Sequence, residues 1–290
     1  MHWEQAKNYM IVFFIVLNLA LGFMLFWENR QYTLTGSQDR LMRTVLNQNG
    51  ISMYTIPVQR FAPMRTLGLS GFYYDTAMLK SILFQDPYSV TQTVEFGADV
   101  FRDGNSYMTI SNGFVFFESP NGFWRNGTQN GGVDMNSASQ LTGQFITEHF
   151  PTFAADSHTQ VQNGVRRIYR ERYNGVTVHS NFIEFLVTEV GIFQIEMQFG
   201  EVHGHVGTPA PLFSPDEALL IFAQRVRHLT QDAPMTIMSM DIIYFQEIGH
   251  FSGNEYNRAD MYYAVPFYRI FTCRGDRPFL INALTNAIID

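Results

Sequence analysis

The sequence predicts an α+β protein: a single N-terminal transmembrane helix, followed by units in which helices pack on antiparallel sheets. Three observations lead there. Residues 9–27 form an apolar run without a charge. The rest of the chain mixes helical periodicity with strand-like alternation. One order of elements, a capped helix followed by strands, begins at Ser137 and again at Ser214, as α+β units with a helix on one sheet face require. The averages agree. The chain has 290 residues, 46% hydrophobic and 16% charged, with a mean hydropathy of −0.08. That composition describes a folded protein and not a disordered or collagen-like one. A net charge of −7 and a pI of 5.6 argue against nucleic acid, which demands a basic face.

The apolar run comes first. As a helix it spans about 28 Å, the thickness of a bilayer's hydrocarbon core. Trp3 and Trp27 lie near its two ends, where interfacial aromatics belong. Ala20 and Gly22 form a small-x-small pair of the kind a signal peptidase cleaves. The run continues past them through Phe26, so an uncleaved anchor is expected. Lys7 and Arg30 against Glu4 and Glu28 give a weak orientation signal and cancel, which leaves the whole −7 to the remainder. A short cytoplasmic leader with the bulk translocated outside the cytoplasm is the expected topology. Asn18 is the one polar side chain within the run, one turn before Gly22 and on the same face. In lipid, a small residue permits close helix approach and an amide bonds across the interface. That face is a candidate contact with a partner helix.

Beyond the anchor, Leu41, Met42, Val45 and Leu46 mark the buried stripe of a helix over 38–48, stopped by Asn49-Gly50. A short helix follows near 76–84. Residues 89–101 and 106–119 read as strands joined around Asp103-Gly104-Asn105, and 121–135, rich in Gly and Asn, as a linker. Ser137 with Gln140 suggests a capping box for a helix whose stripe is Leu141, Phe145, Ile146 and Phe150, ended by Pro151. Strands come next, with a turn at Asn174-Gly175. The second unit opens on Ser214-Pro215-Asp216-Glu217, a capping box with proline at the first helical position. Its stripe is Leu219, Phe222, Val226 and Leu229, and strands with a turn at Arg274-Gly275-Asp276 close it. The expected domains are therefore a leader and anchor over 1–30, an α+β region over 31–135, and two helix-plus-sheet units over 136–210 and 211–290.

Motifs that carry chemistry are sparse. The lone Cys273 sits among apolar neighbours and reads as a core residue. It precludes an intrachain disulfide. His203 and His205 after Glu201 have a spacing that metal ligands use, but in a glycine-rich stretch that reads as a loop. Arg166, Arg170 and Arg172 share one face of a strand, with Arg167 and Glu171 on the other. They form either a solvated face or a surface for an acidic partner. Asp216 and Glu217 already have a role at a helix N-terminus. Asp241, Glu247 and Glu255 are too scattered for acid–base work. Lysine occurs only at 7 and 80, and no S-x-x-K, G-x-S-x-G, Walker, H-E-x-x-H or G-x-G-x-x-G sequence is present. Asn126-Gly127-Thr128 is an acceptor sequon. The residues thus point to no catalytic site, cofactor or metal.

The leader carries a resemblance. Met1-x-Trp3, Ala6-Lys7, Ile11, Phe14, Leu17-Asn18 and Leu21 resemble the opening of YycI-type proteins, with His2 in place of the usual Asp. Residues 173–178, Tyr-Asn-Gly-Val-Thr-Val, are similar to that family's y-n-G-x-p-v hairpin. Ile281, Asn282, Ala283, Thr285 and Ile288 are similar to its closing strand. The resemblance lies in the first 25 and last 120 positions and leaves 50–135 unmatched. It implies PepSY-like extracytoplasmic units, no enzymatic activity and no cofactor. The implied partners are a WalK-type sensor histidine kinase and a YycH-like protein, contacted partly through transmembrane helices, in cell-envelope homeostasis. By the same analogy Trp3, Lys7, Asn18 and Gly22 are the expected partner-binding residues of the membrane segment. The alternatives are a PepSY-type ligand-binding or protease-inhibiting module, which needs an open apolar groove, and an anchored envelope hydrolase, which needs two converging acids.

Overall fold

A computed structural model describes residues 2–71, 74–111, 113–124, 133–230, 233–246, 261–275 and 277–289. Glu247, Glu255, the 126–128 sequon, Asp276 and most of the 121–135 linker lie outside them. Along the chain run α1 (His2–Gln31), α2 (Gly36–Gln48), β1 (Ile51–Met53), β2 (Met64–Ser70) and α3 (Thr76–Leu83). Four strands follow, β3 (Thr91–Glu95), β4 (Ala98–Asp103), β5 (Ser106–Ser111) and β6 (Phe114–Phe123), and then α4 (Met135–His149). Next come β7 (Phe153–Val161), β8 (Gly164–Tyr173), β9 (Val176–Thr188), β10 (Gly191–Gln198) and β11 (Val202–Ala210). The chain continues with α5 (Pro215–Thr230), β12 (Met235–Gln246), β13 (Met261–Thr272), β14 (Phe279–Asn282) and β15 (Ile288–Ile289). The fold is α+β, with strand pairing mixed but mostly antiparallel. Two compact units result. The first comprises Met1–Arg65, Thr208–Ile242 and Pro266–Asp290; the second comprises Thr66–Gly207 and Ile243–Val265.

In the first unit α2 and α5 lie together over short strands. Thr35 caps α2 in a reciprocal box with Gln38, whose side chain accepts the Thr35 N–H at 3.0 Å. Met42 and Leu46, one turn apart, are buried at 3% and 1% exposure. Leu41, expected on that stripe, is 68% exposed, because it points about 100° away from Met42 around the helix. Helix α5 starts as expected, with the Ser214 N–H and hydroxyl each 2.9 Å from Glu217 Oε2. Leu219, Phe222 and Val226 are fully buried, whereas Leu229, in the last turn, has run off the edge of the core. They pack with Ile51, Met235, Ile237, Tyr268, Ile270 and Ile281. Here β1 pairs in parallel with the start of β12, and β13, β14 and β15 pair antiparallel.

In the second unit an antiparallel sheet runs in the order β7–β8–β9–β10–β6–β5–β4–β3. Residues 89–101 and 106–119, each expected as one strand, are each divided by a further tight turn, at Phe96-Gly97 and near Gly113, so the region is a four-stranded meander. Asn174-Gly175 makes the expected turn with φ of 48° and 82°, the left-handed pair of a type I′ hairpin. Helix α4 is capped three residues earlier than expected. Asp134 is its cap and accepts the Ser137 N–H at 2.7 Å, which places Ser137 inside the first turn. Ala138, Leu141, Phe145 and Ile146 are buried against the sheet, and Phe150 closes the stripe. Phe145 is fully buried and meets Phe123, Trp124 and Phe185 edge-on.

Phe145→Ala removes the centre of this aromatic cluster and lowers stability by about 3–5 kcal/mol. Leu41→Ala, on an exposed helix face, changes it by no more than about 0.5 kcal/mol. Urea titrations of the two variants in detergent, followed by tryptophan fluorescence, check the contrast.

Candidate membrane segment and partner-binding face

Helix α1 has neither a proline nor an interior charge between Tyr9 and Trp27, so nothing interrupts its backbone hydrogen bonds. Its stretch Ala6–Met24 has a mean hydropathy of 1.7 and is 0% buried. Apolar side chains face outward all round the helix, from Leu17 at 40% exposure to Trp3 at 82%. A helix that is hydrophobic on every side and uncovered by its own protein matches a bilayer and not water. The segment is an apolar N-terminal helix of the kind that serves as an anchor or a signal sequence.

The four nominated residues fall on one stripe. At 100° per residue, Trp3, Lys7, Asn18 and Gly22 lie within about 100° of one another around the axis. Asn18 donates from Nδ2 to the Phe14 carbonyl at 2.8 Å, one turn back. Its Oδ1 accepts nothing among the described residues. At Gly22 an added Cβ meets no atom within 4 Å, so the backbone is open to close approach from outside.

The polar motifs nominated outside the membrane segment are held in local structure. Residues 202–210, expected as a loop, form strand β11, and His203 and His205 are exposed on it. Their side chains share a face, but His205 Nε2 is 3.1 Å from the Tyr244 hydroxyl, and its ring meets Tyr173 edge-on. No group of three or more His, Cys, Asp or Glu among the described residues could hold a metal ion. On the expected arginine face Arg166 and Arg170 are paired and Arg172 is exposed. Arg166 pairs with Glu184 at 2.9 Å, and Arg170 with Asp156 at 3.1 Å and with the His179 carbonyl. Arg167 is buried and lies over the Tyr169 ring. Asp241 binds Arg269 at 2.6 Å. Cys273, expected in the core, is exposed, because it lies in the turn just past β13, where its Sγ accepts the Thr236 N–H at 3.3 Å.

One carboxylate pair does converge. Glu184 and Glu196 lie directly opposite on β9 and β10. Burial raises the Glu184 carboxyl; Glu196 adds to the rise and Arg166 opposes it. Neither glutamate lines the two crevices described here. The one in the first unit, about 550 Å³, is lined by Leu229, Met235, Thr272 and Phe279 with Arg274 and Arg277. The one in the second unit, about 620 Å³, holds a single acid, Glu189.

A buried polar knot in the second unit went unforeseen. Asn181 is fully buried and donates from Nδ2 to Glu171 at 2.6 Å and to the Gly200 carbonyl at 2.9 Å, while its Oδ1 accepts the Gly200 N–H at 3.2 Å. Next to it the Ser70 hydroxyl accepts the Glu201 N–H at 3.0 Å. A Cβ at Gly200 would stand 2.5 Å from the Ser70 carbonyl oxygen, so only glycine fits. The phenol of Tyr74 accepts the Phe199 N–H and donates to the Gly113 carbonyl; burial pushes it up to about 12. The sequence held one sign of this knot: Asn181 shares strand parity with Ile183, Phe185 and Val187, all core residues. A polar side chain at a core-facing position needs buried partners. Those partners, 10 and 19 residues away, carry no local signal.

No family model matches the sequence, and curated proteins yield no match. Solved structures are distantly similar to it at very low identity. An uncharacterized protein from Eubacterium rectale ATCC 33656 is similar with a TM-score of 0.53 and 10% identity, over 83% of this chain and 90% of that one. The C-terminal domain of YpeB from Bacillus megaterium gives 0.44 and 13%, over 76% and 97%. YycH from Bacillus subtilis gives 0.46 and 12%, over 78% of this chain and 56% of its own.

Burial raises the Glu171 carboxyl above its ordinary 4.5, against the hydrogen bonds from Asn181 and Thr152. The folded chain therefore holds that proton more tightly than the unfolded chain does. The resulting loss of stability is absent below the unfolded pKa and complete once pH exceeds the folded one. Glu171→Gln keeps an acceptor for Asn181 without the charge. It should raise the thermal midpoint at pH 7 and leave it unchanged at pH 4, as scanning fluorimetry at the two pH values would show.

Proposed function

We propose that this chain is a membrane-anchored accessory regulator of a two-component sensor histidine kinase in cell-envelope homeostasis. It acts through protein–protein contacts in the membrane and outside it, and has no catalytic activity of its own. The observation that carries the reading is the uncovered surface of α1, where an amide and a glycine are presented together on an otherwise apolar helix. The resemblance of the leader and of the closing β13–β14 hairpin to YycI-type proteins supports it. So does the α+β architecture, with one capped helix of the expected pair, α4 or α5, in the core of each unit. In this reading residues 1–30 are a cytoplasmic leader and an uncleaved anchor, the rest is extracytoplasmic, and 136–210 and 211–290 are PepSY-like units. The partners are the kinase and a YycH-like protein.

On the membrane helix, Trp3 sits at the interface and Lys7 in the headgroup region. Asn18 offers its Oδ1 to a partner helix where Gly22 lets the backbones meet. An interhelical hydrogen bond in lipid contributes about 0.6–2 kcal/mol.

Affinity purification of the tagged full-length chain from membranes should recover a sensor histidine kinase. The double variant Asn18→Leu, Gly22→Leu should recover roughly tenfold less, the effect of about 1.4 kcal/mol. Undiminished recovery would exclude this helix face from the contact, and recovery of no kinase would remove the reading. Mass spectrometry of the purified chain should show α1 intact; a mature chain beginning after Gly22 would replace the anchor with a signal sequence.

A further inference from the structure

Strand β3 is an edge strand of the second unit, and among the described strands it pairs with β4 alone. Thr91, Gln92, Thr93 and Val94 are all exposed, with Val94 at 72%. Proteins that stay apart guard such edges with lysine, proline or a bulge. Here the strand reads Thr-Gln-Thr-Val-Glu, and its register with β4 runs without a break. Its one charge, Glu95, is taken up by Arg102 of β4, which holds that carboxyl below its ordinary range.

The register fixes which backbone groups are available. Phe96 and Gly97, with φ of 51° and 82°, form a two-residue type I′ turn closed by Glu95 and Ala98. The closing pair exchanges both hydrogen bonds, and pair types alternate along an antiparallel ladder. Thr91, Thr93 and Glu95 therefore bond to β4, and Gln92 and Val94 turn their N–H and C=O groups outward.

We propose that β3 is a homodimer seam, in which two copies of the chain pair antiparallel through β3 about a two-fold axis at Thr93. In that register Gln92 of each copy faces Val94 of the other, so the four outward N–H groups meet the four outward carbonyls. Thr93 faces its own counterpart as a non-hydrogen-bonded pair, with Cα atoms about 4.5 Å apart. Threonine pairs are favourable there. Glu95 faces Thr91 of the second copy and never another carboxylate. Phe96, fully exposed and held in a left-handed backbone that a bulky residue rarely adopts, falls opposite Val90 of the second copy. The seam is small beside the 1,200 Å² or so of a stable interface, so it serves copies concentrated in one membrane and not free chains.

The test uses the full-length chain with Cys273→Ser, expressed in its membrane and treated with a mild oxidant. Thr93→Cys should give a disulfide-linked dimer, because a facing pair at that spacing satisfies disulfide geometry. Gln92→Cys, which faces Val94 and not itself, should give several-fold less. Val94→Pro added to Thr93→Cys removes an outward N–H while leaving the β3–β4 bonds intact, and should cut the dimer roughly tenfold. Circular dichroism and thermal midpoint verify that this variant folds. Equal cross-linking at 92 and 93, no dimer at all, or a dimer unaffected by the proline each overturns the proposal. An adduct of Thr93→Cys with a different protein overturns it in favour of a heterologous strand partner.

Discussion

A sheet with one apolar face is stable only when something covers that face, and in the second unit the cover is helix α4 seated on Phe145. The ring is fully buried, with neighbours at 5.4–6.1 Å from four other aromatic side chains and His149 at 4.9 Å. Edge-on contacts of this kind fix orientation as well as burying area. The buried Thr142 hydroxyl bonds back to the Ala138 carbonyl and lies 2.8 Å from the Tyr169 hydroxyl, which sets the helix's position along β8. With α4 in place, Val165, Ile183, Phe185, Ile195 and Met197 are all buried on adjacent strands. The opposite face of those strands is then free for Arg166, Glu184 and Glu196.

The helices were legible because their signals are local. The stripe of α4 and the capping box of α5 each lie within a few residues. Errors arose where two local signals competed. Asp134 and Ser137 are both good caps, and the earlier one holds the helix start. Leu41 and Met42 are adjacent and alike, and only the position of α5 decides which is buried. The break within 89–101 is hidden because Phe96-Gly97 is an unusual turn: a bulky aromatic stands where asparagine is common. The apolar neighbours of Cys273 suggest a core position, yet β13 stops one residue before it. The polar knot of Glu171, Asn181, Gly200 and Ser70 joins residues far apart in sequence, and no window of the chain contains it. The apolar helix α1 is legible almost whole, because length and hydropathy alone define it.

Charge is distributed in a way that suits a protein working by contact. In the densest basic run Arg166 and Arg170 are matched by Glu184 and Asp156 and Arg167 is stacked on a ring, which leaves Arg172 exposed at its end. The net −7 lies wholly beyond residue 30, so that part of the chain is repelled by anionic surfaces. The features left open to a neighbour are instead backbone and small-residue features: the edge of β3, and the α1 face around Gly22. In place of charge both offer shape and hydrogen bonding, which ionic strength affects little.

The first unit is assembled from three separated stretches, and that arrangement orders events during synthesis. Its opening stretch, which includes α1, leaves the ribosome first, but β14 and β15 at 279–289 appear only after some 200 further residues. At about 5–20 residues per second the interval is on the order of 10–45 s. Throughout it Met42 and Leu46 lack the side chains of Tyr268, Ile270 and Ile281 that share their core. The second unit has most of its strands by residue 207. Helix α1 is thus complete well before the unit that includes it is closed. In that window the first unit is half-built, with the apolar side chains of its core not yet covered.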